Sequence, residues 1–177
     1  MENKNTSGLV LIEPHKKVSR EVKIKDFPRI KEIYFPLRML MEQMENTKFF
    51  NNVYAVAHSQ VTKKDPLRFF VVNMSNQIIK SEMEKLNLLL ADDIIINPII
   101  TNHVKHASEK EEGCLSYPGY PSANVERWHK IEVEFKTINF EGTTLIDHKL
   151  GLSGKLAEIF QHEIDHFNAK YIWTGKI

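Results

Sequence analysis

At 177 residues the chain is long enough for one domain with a real core. Apolar residues make up 42% and charged residues 27%, as in a water-soluble globular protein, and 24 Lys+Arg against 23 Asp+Glu leave a formal charge of +1. No basic excess asks for nucleic acid and no single-sign block suggests a membrane tether, so neither partner is expected.

No internal repeat, low-complexity tract or compositional break divides the chain, so a single domain over residues 1–177 is the expectation. The only early apolar run, residues 9–12, leads into Glu13-Pro14, which predicts a short extended segment and a turn. It is too short for a signal-peptide core or a membrane span, and a cytoplasmic location is expected. Asp26-Phe27-Pro28 offers an N-cap and a proline near N1. Apolar residues then recur at Ile30, Ile33, Tyr34, Leu37, Leu40, Met41 and Met44, the spacing of a helix, in which Pro36 predicts a kink or a split. Residues 53–61 and 67–74 are rich in β-formers and flank Lys63-Lys64-Asp65-Pro66, predicting two strands and a turn. A short helix is predicted over 81–90, a buried strand over 93–97 ending at Pro98, and another strand over 99–106. Residues 113–116 read as short and extended, and Tyr117-Pro118-Gly119-Tyr120-Pro121 as a loop. Within 128–139, Ile131, Val133 and Phe135 alternate with Glu132, Glu134 and Lys136, the period of a strand buried on one side. Glu141-Gly142 turns the chain into a strand over 144–150, and a helix over 153–170 follows, with 171–177 trailing. Helix, strands, then helix predicts an α+β fold of mixed or antiparallel strands packed around the last helix.

That last helix carries Gln161-His162-Glu163-Ile164-Asp165-His166, an H-E-x-x-H run. Four residues are a little over one helical turn, so both imidazoles project from one side, close enough to share a divalent metal. Glu163 is rotated from His162 by about 100° and can reach an activated water without ligating the ion. Leu156, Phe160, Ile164 and Phe167 form an apolar arc with Glu163 on its edge. A carboxylate set against apolar neighbours is desolvated, which raises its pKa towards the range useful for proton transfer.

Two histidines do not complete a catalytic centre, which wants three protein ligands and an open position. The sole cysteine, Cys114, permits no internal disulfide and makes a reducing compartment the default. It sits in Glu112-Gly113-Cys114-Leu115-Ser116. E-G-C-L-S, a proline-containing loop, and then Q-H-E-I-D-H resemble the peptide deformylases in order and spacing, from about Leu9 onward. The resemblance implies that Cys114, His162 and His166 bind the metal and that Glu163 is the catalytic acid/base. One thiolate and two imidazoles would leave a divalent ion with one net positive charge; such ligands suit Zn²⁺ or Fe²⁺, and the resemblance favours Fe²⁺. The attack on a formyl carbonyl would need oxyanion donors, for which the backbone N–H of Leu115 is one candidate.

The family's remaining motif, G-x-G-x-A-A-x-Q, corresponds to Val53-Tyr54-Ala55-Val56-Ala57-His58-Ser59-Gln60. Gln60 is retained and is the second oxyanion-donor candidate, the alternative being a polar residue on the wet face of a strand, while both glycines are replaced, by Val53 and Ala55. Side chains there narrow or reshape a cleft in which a peptide would pair as an added strand. His58, in place of the second alanine, reads as a satisfied or exposed histidine rather than a fourth ligand. The resemblance places Tyr54, Ala55, Gly113, Glu158 and Ile159 along the substrate. It also makes the positions of Lys155 and Glu158 apolar in ordinary members, where they help line a methionine pocket. The two can pair at i, i+3; lining the pocket, they predict a tolerance for polar first residues, and the alternative is a slightly rotated helix on which both face water. An arginine common in bacterial members is Pro121 here, and Arg127 matches a family arginine that would pair with Asp165 or Glu112.

The reading is a deformylase-like metallohydrolase that releases formate, or a related small acyl group, from the amino terminus of a peptide or nascent chain, with the ribosome as a further partner. A competing reading is a non-catalytic module in which a metal staples the fold and the cleft binds a peptide or a ribosomal surface; a third is an H-E-x-x-H endopeptidase.

Overall fold

The computed structural model describes residues 8–12, 16–46, 52–88, 93–117, 120–139 and 144–173. Its elements in chain order are α1 (Phe27–Glu45), β1 (Ala55–Ala57), β2 (Phe69–Val72), α2 (Gln77–Lys85), β3 (Ile94–His103), β4 (Ala107–Glu112), β5 (Ala123–Trp128), β6 (Lys130–Asn139), β7 (Thr144–Ser153) and α3 (Gly154–Phe167). Five strands form an antiparallel sheet in the order β1-β2-β3-β6-β7, and β4 and β5 form a separate antiparallel ribbon. The α+β expectation holds. Among the described residues no helix is long and apolar enough to cross a membrane.

The hydrophobic runs of β1 to β3 follow from burial on both faces. Val56, Phe69, Val71, Ile94 and Ile96 pack with Ile30, Leu37 and Met41 of α1 on one side. Ala55, Ala57, Phe70, Val72 and Ile95 pack with Leu156, Phe160, Ile164 and Phe167 of α3 on the other. Phe70 meets Phe160 edge to face at 5.1 Å between centroids. Each such fully buried side chain contributes about 1.5–3 kcal/mol. β6 keeps its alternation: Ile131, Val133 and Phe135 are buried and Glu132 and Glu134 are exposed.

Several boundaries depart from the sequence reading. α1 runs through Pro36 as one helix instead of splitting. The bond the proline cannot donate would have gone to the carbonyl of Glu32, an exposed residue whose carbonyl water can satisfy. Asp26 precedes α1 but does not cap it; its carboxylate accepts the Lys23 N–H at 2.8 Å and the Arg20 guanidinium. Residues 53–61 yield only the three-residue β1, followed by a 3-10 turn over His58–Gln60. α2 begins four residues before the predicted helix because Asn76 accepts the N–H groups of Ile78 and Ile79. The two strands expected on either side of Pro98 are one, β3, with a register shift between Ile96 and Ile99. Asn97 there has φ 50° and ties both its side-chain ends to the backbone of Val22. Proline is tolerated in a strand at such an irregularity. Residues 128–139 divide at His129 between β5 and β6, and β4 was not foreseen. Leu115 and Ser116 form a turn, not an extended segment. The turns expected at Glu13-Pro14 and Glu141-Gly142, the Pro118-Gly119 part of the expected loop, and residues 89–90 and 174–177 lie outside the described residues.

His58 is a buried, satisfied histidine as expected. Its Nδ1 accepts the Leu67 N–H at 2.8 Å and its ring stacks on Phe69. Burial, aided by the nearby Arg29, pushes it down from 6.5 to about 3. Between those values the unfolded chain binds the extra proton, so stability falls as pH falls, by about 1.4 kcal/mol per pH unit. Urea unfolding should therefore show the wild type losing about 2 kcal/mol through His58 alone from pH 7 to pH 5. His58→Leu, less stable at pH 7 because it orphans the Leu67 N–H, should lack that part of the loss. An identical drop in both proteins would exclude the assignment.

Candidate active site

β7 passes into α3 without a loop, because Ser153 is still extended and Gly154 turns the chain at φ 59°, a conformation that favours glycine. α3 is fixed further by Gln161. Its Oε1 accepts the Trp128 N–H at 2.9 Å, and its Nε2 donates to the carbonyls of Trp128 at 3.0 Å and Ala157 at 2.9 Å. The histidines of α3 are thereby set against the segment that leaves β4. There Cys114 Sγ lies 3.4 Å from His166 Nε2, and ligand atoms of Cys114, His162 and His166 all fall within 4.8 Å of one another. Adjacent sulfur and nitrogen ligands on a tetrahedral ion sit about 3.5 Å apart, given bonds of about 2.3 and 2.0–2.1 Å. The donor set and its spacing fit a divalent ion, and among the described residues this is the one such cluster.

The surroundings orient these groups. His162 Nδ1 is 2.8 Å from Glu112 Oε2, which leaves Nε2 for ligation. Glu112 is gripped at both oxygens by Arg127, through Nε at 2.7 Å and Nη2 at 2.9 Å, and Arg127 Nη1 donates to Asp165 at 2.7 Å. The sequence offered Asp165 or Glu112 as the partner of Arg127, and the structure pairs it with both. Burial would raise Glu112, but hydrogen bonds from Arg127 and His162 outweigh it and hold the carboxyl at about 2. Burial pulls both imidazoles down. Hydrogen bonds to Cys114 and Glu112 reverse this at His162, which stands well above the usual value, whereas His166 stays well below it. A metal would compete with the proton on His162.

Glu163 is 4% exposed and its Oε2 has no hydrogen-bond partner among the described atoms. Burial pushes it up to about 7, with His162 opposing and Glu112 adding to the rise. Gln60 is buried, not on the wet face of a strand. Its Oε1 accepts the Ala57 N–H at 2.8 Å, so its Nε2 turns toward Cys114 Sγ at 3.8 Å and Ser116 Oγ at 3.3 Å. Leu115 follows the cysteine and is buried.

A cleft of about 530 Å³ opens beside these groups, lined by Tyr54, Ala55, Gly113, Glu158 and Ile159 together with Cys114, His162, Glu163, Gln60 and Leu115. A Cβ on Gly113 would meet nothing within 4 Å, so the cleft floor stays open there. Val53 and Lys155 also border it; Val53, 1% exposed, packs in the core cluster of α1, while Lys155 stands on the cleft side of α3. What the sequence did not reveal is the hold of Glu112 on His162 and the reach of Lys110 from β4 to Glu158 at 3.4 Å. The first has a signal in retrospect, the acidic letter of E-G-C-L-S; the second has none.

The family model for polypeptide deformylase matches residues 10–174. A peptide deformylase of Thermus thermophilus is 32% identical over 138 residues, covering 77% of this chain and 68% of that protein. One from Orientia tsutsugamushi is 30% identical over 132 residues, covering 75% and 68%. In fold, the chain is similar to the peptide deformylase of Synechococcus elongatus, with TM-score 0.66, 23% identity and coverage of 94% and 78%. That of Thermotoga maritima gives TM-score 0.63, 23% identity and coverage of 93% and 94%.

Proposed function

The chain belongs to the polypeptide deformylase family, and we propose accordingly that it is a metallo-amidohydrolase cleaving the N-formyl group from the first residue of a peptide or nascent chain, a step in protein maturation. The observation that carries this reading is the convergence of one sulfur and two imidazole nitrogens within 4.8 Å, beside a cleft that also holds a buried carboxylate. Cys114, His162 and His166 would hold a divalent ion, Fe²⁺ by family resemblance with Zn²⁺ as the alternative, which when bound supplies Lewis-acid charge to the carbonyl and to water. Glu163 takes the proton of the attacking water on its carboxylate and passes it to the departing amine nitrogen as the C–N bond breaks. Burial raises this carboxyl above the usual carboxylate range, in the direction that suits both transfers. Gln60 Nε2 and the Leu115 N–H donate to the oxygen that gains charge in the tetrahedral intermediate. Tyr54, Ala55, Gly113 and Ile159 border the path of the bound peptide, and residues 1–177 act as a single catalytic domain. The lone cysteine suits a reducing cytoplasm or organelle, and a rice relative is named as chloroplastic.

A purely structural ion site needs neither an unpartnered buried carboxylate nor an amide turned to the metal ligands, which favours the enzyme over a binding module. The expected result is that anaerobically metal-loaded protein releases formate from formyl peptides, that chelation abolishes the release, and that bound metal approaches one ion per chain. Stoichiometric metal without turnover of any formyl peptide would overturn this reading and leave the binding module and the endopeptidase.

A further inference from the structure

The cleft face of α3 is formed by residues 155, 158, 159, 162 and 163. Counted from His162 at about 1.5 Å per residue, Glu158 lies about 6 Å and Lys155 about 10 Å further along the helix. A formyl group held at His162 and Glu163 would carry the first side chain of the peptide along this face. The δ atom of that side chain lies about 6–7 Å from the formyl carbon when extended. It therefore ends beside Glu158 and Lys155.

The wall at that depth is charged. Lys155 Nζ donates to Glu158 Oε2 at 2.6 Å and stands 5.4 Å from the centroid of the Tyr54 ring. The other carboxylate oxygen of Glu158 faces Lys110 Nζ at 3.4 Å. Both oxygens of Glu158 are thus engaged, and two lysines answer one carboxylate. An ammonium has three donors, and the Lys155 side chain keeps 37% of its surface exposed against 15% for Glu158. The wall therefore offers Lys155 donors beside a carboxylate that is already paired, and the cleft's other rim carboxylates, Glu111 and Glu112, are engaged by Ser122 and by Arg127. An apolar side chain entering here strips water from Lys155 and gives nothing back, and a cationic one meets like charge. An acceptor oxygen replaces the lost water bond.

We infer that Lys155 selects formyl peptides whose first side chain carries an acceptor oxygen at its δ position, the class of glutamine, glutamate and oxidised methionine. This rests on the deformylase reading of the neighbouring site. Oxidised methionine belongs to the class because the sulfoxide turns an apolar thioether into a polar acceptor at that atom.

The test is kcat/KM for formate release by metal-replete protein from formyl-Xaa-Ala-Ala, with norleucine, methionine, methionine sulfoxide, glutamine, glutamate and lysine as Xaa. Methionine sulfoxide and glutamine should each exceed norleucine by about tenfold or more, with lysine below norleucine. Lys155→Leu should reverse that order and Lys155→Arg should keep it. Comparing methionine with its sulfoxide isolates one oxygen, and comparing glutamate with glutamine separates charge from hydrogen bonding within the class. Wild-type preference for norleucine or methionine, or an unchanged order in Lys155→Leu, overturns this inference and leaves the deformylase reading standing. Formate release from none of the peptides overturns both.

Discussion

Glu163→Gln should cut formate release by about 10²–10⁴-fold or more while the protein stays folded and keeps its metal. Gln matches Glu in shape, so the packing around a side chain that is 4% exposed is preserved. What disappears is the ability to take a proton from water and return it to the amine. Stability separates this from a folding defect. Burial raises the carboxyl from 4.5 to about 7, so the folded state holds a proton that the unfolded state releases in that window. Above 4.5 the native carboxylate is therefore a growing liability, largest once the pH passes about 7. A neutral amide removes that liability, and at pH 8 the thermal midpoint of the metal-free variant should equal or exceed that of the metal-free wild type. Full activity in the variant would remove Glu163 from the chemistry. A lost activity accompanied by a lower midpoint and lost metal would show that its role is to hold the site together.

How much of this was legible in the sequence depends on how local each contact is. His162, Glu163 and His166 lie within about one turn and a quarter of one helix, so spacing alone sets their geometry. Cys114 was found only because its neighbours form a pattern with the distant helix. The apolar arc of α3 and the alternation of β6 were readable because each element buries one face. Other features left no mark. The handover at His129 from the ribbon to the main sheet breaks no periodicity, since β5 and β6 are both strands with alternating burial. Pro98 looked like a strand end because a left-handed Asn97 bonded to Val22, 75 residues earlier, is invisible in one dimension. Whether Lys155 and Glu158 faced water or the cleft was equally open from spacing. The Lys110 contact and their place in the cleft wall answer it through tertiary packing.

Arg127→Leu should lower stability and metal affinity together. The guanidinium is 4% exposed and spans two carboxylates, gripping Glu112 in a fork and reaching Asp165 with its remaining arm. Leu fills part of the volume but leaves Glu112, 10% exposed, without its strongest partner. Removing one member of a buried ion pair costs about 3–5 kcal/mol, because the charge left behind is no longer compensated. The loss has a second, local consequence. Glu112 also orients His162 through Nδ1, and a carboxylate freed from Arg127 no longer fixes that ring. Losing the group that orients a metal-bound histidine lowers metal affinity by about 10–100-fold. The two effects are separable by measuring chemical denaturation and metal affinity on the same preparations. Asp165→Asn, at a carboxylate 22% exposed and not bonded to a ligand, should cost less stability and leave metal affinity close to wild type. Glu112→Gln should lower metal affinity like Arg127→Leu. Arg127→Lys should rescue little of either, since one ammonium cannot reproduce a planar fork on Glu112 and a further bond to Asp165 at once. A Lys variant as stable and as metal-competent as the wild type would mean that charge alone, and not the geometry of the guanidinium, secures His162.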